Sequence, residues 1–313
     1  MRKKLVSTIM AGLMGVMLAA CGSAEAKEPA STAEASTEAA PASAEATGAT
    51  EATSESDGAE SEGVSEDVQA IIDRGVLRVG VKNAVIGFGY EDPLTGEYSG
   101  LEIELAKALA AKLGVDVEFT AVTAATRTEL LDSGDIDCVL ATFTITDERK
   151  ESWDFTTPYY TDYVSVLVED SKGITTLEKL VDATVGVSSG STSAKSLVSA
   201  MIEAGVISGD GFDPETFDPA TWTEGIKFQQ YDDYPTISTA LSAGEVDAFC
   251  VDKSILAIYK TEGRSYIDAE FSPQEYGIAT KKASGLSAVT EELVTALLAD
   301  GTIDSLIKEN GLE

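Results

Sequence analysis

The chain has 313 residues, 54 of them acidic and 22 basic, with a formal net charge of −32 and no histidine. Such a charge excludes nucleic-acid binding, which needs a basic face. The lack of histidine removes the usual general base and the usual zinc ligand, and the length allows one or two domains.

The chain starts MRKK, followed by an apolar run from Leu5 to Ala20 that ends in LAAC, Leu18 to Cys21. A basic start, a short apolar middle and small residues before a cysteine have the form of an export signal. The run is too short and wrongly flanked to span a membrane comfortably. LAAC is similar to a bacterial lipobox, which implies a signal over residues 1–21 and a lipid on Cys21. Residues 22–65 follow as a tether of Ala, Ser, Thr, Glu and Gly, with ten acids and one lysine between Gly22 and Gly63. So little apolar surface cannot offset the entropy of ordering, so a disordered segment is expected.

From there, strand and helix patterns alternate. VLRVGV (Val76 to Val81) predicts an apolar strand, and GLEIELAKALAAKLG (Gly100 to Gly114) a helix with Leu101, Leu105, Ala108 and Leu109 on one face. VDVEFTAV, TRTELLDSG, DIDCVLA, SVLVED, TTLEKL, TVGVSS and STSAKSLVSAMIEAG continue the alternation. KFQQY, PTISTALSAG and DAFCVD complete it. This order predicts an α/β fold with largely parallel sheets. LLDSGDIDCVLAT and ALSAGEVDAFCVD echo each other as helix, glycine, acid, Ile/Val-Asp and buried strand. In open α/β sheets ligands bind beyond the carboxyl ends of strands, so the echo suggests two lobes facing one cleft. Cys138 and Cys250 fall in predicted buried strands without Cys-x-x-Cys spacing, which points to packing.

Three stretches carry candidate chemistry. In TFTITDERK, Thr142 and Thr144 end a strand, and Arg149 offers a planar fork of donors that fits a carboxylate. The stretch reads equally as Thr144 and Thr146 capping the short helix and Arg149 pairing with a surface acid. In VSSGSTSAKSL, small hydroxyl residues open a helix whose N–H groups suit an anion; Ser191 or Thr192 reads equally as a plain N-cap. Asp252 ends a buried strand, where a carboxylate is costly unless paired, whether by a bound ammonium or by Lys253. Two anion-holding sites and one acid match the head group of an α-amino acid.

TFTITDERK with DFTTPYYTD, GLEIELAKALA, VGVSSGSTSAKSL and VDAFCVDKSIL resembles the extracytoplasmic solute-binding proteins of polar amino-acid ABC importers, from about Val68 to Leu312. VGVKN, AATRTELL, DYPTISTAL, VDKSILAIY and PQEYGIATKK make it most similar to the aspartate/glutamate-binding members. The resemblance implies a two-lobe, periplasmic-binding-protein-like (type II) α/β fold, hinged around a ligand cleft. The first lobe would comprise residues 66–163 and 272–313, the second residues 164–271.

It also implies that Arg149, with Thr144, Ser191 and Thr192, holds the ligand's α-carboxylate. Asp252 and a carbonyl near Thr142 would hold the α-amino group. Arg127, Lys82 and Tyr234 would meet a side-chain carboxylate. Implied partners are an amino acid, an importer permease and, through Cys21, the extracytoplasmic face of the membrane. The protein would act as a monomer without metal or cofactor. Some dehydratases resemble these receptors and need a general acid in the cleft; the amino-acid clamp, lipobox and tether favour delivery over turnover. Ala84 and Ile86 stand where related sequences often carry Asp and Pro. The stretch from Ile202 to Glu224 is longer than expected and is read first as a surface elaboration.

Overall fold

The computed structural model describes residues 64–313. The signal, Cys21 and the tether up to Gly63 lie outside the described residues. Helix α1 (Glu66–Arg74) leads into β1 (Val76–Val81) and a small sheet of β2 (Ala84–Val85), β3 (Gly89–Glu91) and β4 (Tyr98–Ser99). Then come α2 (Leu101–Leu113), β5 (Asp116–Ala121), α3 (Thr126–Ser133), β6 (Cys138–Leu140), α4 (Asp147–Ser152) and β7 (Trp153–Phe155). The long β8 (Tyr160–Glu169) leaves this first set for β9 (Thr184–Ser188), α5 (Ser193–Glu203), β10 (Lys227–Tyr231), α6 (Tyr234–Ala243) and β11 (Ala248–Asp252). The chain continues through α7 (Lys253–Leu256), β12 (Arg264–Tyr266) and β13 (Phe271–Tyr276). It finishes with β14 (Ala279–Lys281), α8 (Gly285–Ala299) and α9 (Thr302–Glu309).

The strands build two larger sheets, one per lobe. The first has the order β5-β1-β6-β14-β7; the second has β10-β9-β11-β8-β12, with β13 paired to β8. The expectation of largely parallel sheets holds only for β5-β1-β6 and β10-β9-β11. Strands β14 and β8 run antiparallel to their neighbours. The difference has a chain-path reason: β8 carries the chain out of the first lobe, β13 brings it back beside β8 in the opposite direction, and β14 continues that return into the first sheet. The predicted TTLEKL helix is only a 3-10 turn, Leu177–Leu180, which ends where Val181 takes a non-helical ψ of 134°.

The central strands of each lobe's sheet are apolar because both faces are covered there. Leu77, Val79 and Val81 of β1 are fully buried, as are Leu101, Leu105 and Leu109 of α2. Each buried leucine contributes about 1.5–3 kcal/mol. Cys138 and Cys250 are buried free thiols.

The sequence echo corresponds to a structural one. Asp137 and Asp247 each start the strand after a helix and a glycine, and each accepts a neighbouring strand's N–H: Arg78 N at 2.8 Å and Thr184 N at 3.0 Å. Each also carries a cation, Arg78 at 2.8 Å and Lys172 at 2.8 Å. The repeated acid therefore pins sheet register. The chemistry lies at the far ends of β6 and β11, where the two units differ.

Candidate functional site

On the first lobe, the chain leaving β6 is held in an unusual backbone conformation. Thr142 has φ +45°, which is an outlier for a β-branched residue. Its N–H is fixed by Glu102 Oε1 at 2.6 Å, an oxygen that also accepts from the Tyr159 hydroxyl at 2.6 Å. Glu102 is fully buried on α2, and burial raises its pKa. Strain of this kind persists only where surrounding contacts over-determine it, and it concentrates at functional sites.

Two arginines flank this segment. Arg127, near the start of α3, donates from Nη1 to Ala141 O at 2.9 Å and Thr142 O at 3.3 Å. Arg149 stands on α4, whose N-cap Thr146 accepts from Arg149 N at 3.1 Å. Its guanidinium donates to Thr144 O at 2.7 Å and, from the other nitrogen, to Gly190 O of the second lobe at 3.1 Å. Both guanidinium carbons lie over the Phe143 ring, at 3.8 Å for Arg127 and 4.7 Å for Arg149. Among the described residues Arg149 makes no surface ion pair, and of the two candidate threonines it is Thr146 that provides the cap.

On the second lobe, the turn between β9 and α5 meets the first lobe closely. A Cβ added to Gly190 would lie 2.8 Å from Ala124 O. Ser191 donates its hydroxyl to Ser188 O at 2.7 Å. Thr192 occupies the N-cap position of α5, but its hydroxyl makes no cap bond; it donates to Gln274 Oε1 at 2.7 Å. The first-turn N–H groups of α5 are thus left free for another acceptor. Asp252, at the end of β11, accepts from the Tyr276 hydroxyl. Lys253 turns away and pairs with Glu270, so the lysine partner open to Asp252 from the sequence is not used.

Seven of the nine expected ligand-binding residues line one small inner cavity: Arg127, Thr142, Thr144, Ser191, Thr192, Tyr234 and Asp252. The other two residues adjoin it. Lys82, only 4% exposed, has its ammonium 5.3 Å from the centre of the Tyr234 ring, in a neighbouring cavity that Tyr234 also lines. Arg149 faces a more open outer chamber of about 330 Å³, which shares Ala124, Arg127, Ser191 and Thr192 with the inner one.

Burial dominates the electrostatics. It lowers Lys82 to about 7, helped by the Arg127 charge. It lowers Arg127 to about 10, and Arg149 to about 9 with Arg127 again adding to the effect. Asp252 rises to about 7 through burial and the nearby Asp162 carboxylate. Among the described residues none of the three cations has a carboxylate within 4.0 Å. Arg127 Nε and Ser193 Oγ are buried without a hydrogen-bond partner.

Four contributors were not singled out from sequence: Glu102, Ser193, Gln274 and Tyr276. Glu102 had a readable signal, since it shares a helix face with Leu105, Ala106 and Leu109; an acid there is anomalous. Gln274 and Tyr276 lie two residues apart and so share one face of β13, but no sequence signal says that this face meets the cleft. The long stretch read first as a surface elaboration has a more specific place. Phe212, Phe217 and Trp222 pack on one another, with Phe217 also 6.2 Å from Phe228. Pro214, Glu215, Phe217 and Pro219 line the outer chamber. Lys195 links the stretch to the first lobe, donating to Pro214 O at 3.1 Å and pairing with Glu148 at 3.2 Å.

The model of the bacterial extracellular solute-binding proteins, family 3, matches residues 77–312. The chain is 32% identical over 260 residues to the ABC transporter glutamine-binding protein GlnH of Bacillus subtilis, covering 80% of this chain and 86% of that one. It is 30% identical over 260 residues to the glutamate-binding protein GluB of Corynebacterium glutamicum, covering 77% and 80% respectively. A solved ancestral arginine-binding protein bound to arginine superposes with a TM-score of 0.62 at 32% identity, over 75% of this chain and 98% of that one.

Proposed function

Because the chain belongs to the bacterial extracellular solute-binding proteins of family 3 and is an amino-acid-binding component of an ABC transporter, we propose that its ligand is an acidic amino acid, aspartate or glutamate. The observation that supports this most is the set of three cations, the buried Lys82 and Arg127 and the half-buried Arg149, with no carboxylate partner among the described residues. A buried charge left alone is expensive, so such groups call for an anion. One α-carboxylate engages Arg149 and the start of α5. Lys82 and Arg127 then exceed what an α-amino acid head requires, and a side-chain carboxylate is their partner, with Tyr234 beside it. Asp252 receives the ammonium.

The two lobes, residues 66–163 with 272–313 and residues 164–271, hinge along β8 and β13. Contacts across the cleft, such as Arg149 to Gly190, exist only when it is closed. A ligand that touches both lobes therefore shifts the open–closed equilibrium. The closed monomer then docks on its permease, held at the extracytoplasmic surface by a lipid on Cys21. The relatives are transport proteins, and the cleft is read as a carrier's site rather than an enzyme's.

The test is calorimetry on protein unfolded and refolded to remove carried ligand, titrated with aspartate, glutamate, glutamine, cystine and arginine. Tight binding of the acids, lost in Arg127→Ala, is the expected result. Binding of glutamine or arginine in preference to the acids would overturn the acidic assignment, and binding of none would overturn the receptor reading itself.

A further inference from the structure

Gln274 lies on β13, one of the two strands that join the lobes, and is 3% exposed. Its amide oxygen accepts two hydroxyl protons, from Thr144 of the first lobe at 2.9 Å and from Thr192 of the second at 2.7 Å. Its amide nitrogen donates to Ser272 O at 2.9 Å and Pro273 O at 3.3 Å. These two carbonyls fix which way the amide points. The reversed amide would set an acceptor oxygen against two acceptor carbonyls and a donor nitrogen against the hydroxyls. The irregularity of β13 between Phe271 and Pro273, with Ser272 at φ +49°, belongs to this arrangement.

A hydroxyl has one proton and two lone pairs. The protons of Thr144 and Thr192 are committed to Gln274, and that of Ser191 to Ser188 O. All three residues line the inner cavity beside Asp252, so what their hydroxyls have left to offer a ligand is lone pairs. A carboxylate is acceptor-only and gains nothing from them, whereas an ammonium is donor-only and can use them.

We propose that Gln274 is a positioning residue: by holding the Thr144 and Thr192 hydroxyl protons, it makes both oxygens acceptors and so selects ligands that carry an α-ammonium group. This rests on the amino-acid-receptor reading and refines it. The Thr144 and Thr192 hydroxyls then serve the ammonium with Asp252, and the α-carboxylate depends on Arg149 and backbone N–H groups. Because one oxygen binds a hydroxyl from each lobe, the same contact also ties this selection to closure.

The experiment measures the ratio of L-glutamate to 2-oxoglutarate affinity by calorimetry. The two ligands share both carboxylates, but the second lacks the α-ammonium. Wild type, Gln274→Met and Gln274→Glu are compared. Methionine frees both hydroxyls to rotate and donate, so the ratio is expected to fall about tenfold or more, as loss of charge-assisted hydrogen bonds implies. At this buried position a glutamate takes a proton on the oxygen that faces Ser272 O and Pro273 O and keeps the other oxygen as acceptor at the hydroxyls, so Gln274→Glu retains the ratio even if both affinities weaken. A Gln274→Met variant whose two affinities weaken by the same factor would reduce Gln274 to a structural hinge contact and overturn the proposal. If that variant does not fold, a collapsed ratio in Gln274→Glu overturns it equally. Wild type binding neither glutamate nor any other amino acid would instead refute the underlying receptor reading, and that outcome is separate from both.

Discussion

Gly190→Ala separates the cost of folding from the cost of closing. Gly190 has φ +73°, and its added Cβ would stand 2.8 Å from Ala124 O and 3.0 Å from both Ala124 C and Ala125 Cα. The left-handed backbone penalty, about 1–2 kcal/mol, applies whether the cleft is open or shut. It therefore lowers the melting temperature of the ligand-free protein by roughly 2–8 °C for a domain of this size. The clash applies only when the lobes meet. Its neighbours are backbone atoms that cannot rotate aside, so an overpacking cost of about 1–3 kcal/mol falls on the closed state alone. At 1.4 kcal/mol per tenfold, that weakens ligand binding by roughly 5- to 140-fold. Calorimetry gives the affinity, and thermal melts of ligand-free protein give the backbone penalty. A variant that melts early but binds glutamate as tightly as wild type would refute the argument, because Gly190 and Ala124 would then not be in contact in the bound state.

Three further predictions follow from named contacts. Arg149→Lys keeps the charge but loses the fork that bonds Thr144 O and Gly190 O at once, so affinity should fall at least tenfold by calorimetry. Asp252→Asn should stabilise the ligand-free protein at high pH only. The raised carboxyl makes the folded state bind its proton more tightly, so wild-type stability falls as pH rises from about 4 to about 7. The asparagine variant lacks that decline, and melts at pH 4 and pH 8 would show the gap opening only at the upper value. Trp222→Ala breaks ring contacts to Phe212 and Phe217 at 5.8 and 5.6 Å. Because Trp222 is only half-buried, the loss should be about 2 kcal/mol, below the 3–5 typical of a buried tryptophan; denaturant unfolding measures it.

The elements that were legible in the sequence are those whose periodicity reports burial. Helix α2 could be read from Leu101, Leu105 and Leu109, and β11 from an unbroken apolar run, because in each case one local pattern meets one environment. The direction of β14 and the 3-10 character of Leu177–Leu180 were not legible, since both depend on chain path and length. The same division runs through the site. Residues at strand ends and helix starts, Thr142, Thr144, Ser191, Thr192 and Asp252, could be placed near a cleft from local pattern. Gln274 could not, although it touches two of them.

That difference has a physical cause. A side chain's type and position in sequence state what it can donate or accept, but not which of those capacities its neighbours have already used. The family resemblance casts Thr144 and Thr192 as donors to the α-carboxylate. Folded, each proton is given to Gln274, and the same oxygens become acceptors. Arg127 makes the complementary case. Its Nη1 is used by Ala141 O and Thr142 O, while its Nε stays buried and unpartnered. Its donor capacity is thus only partly consumed, and the remainder is available to an anion. On the proposed reading, ligand preference in this cleft follows from the hydrogen-bonding capacity that folding leaves unspent.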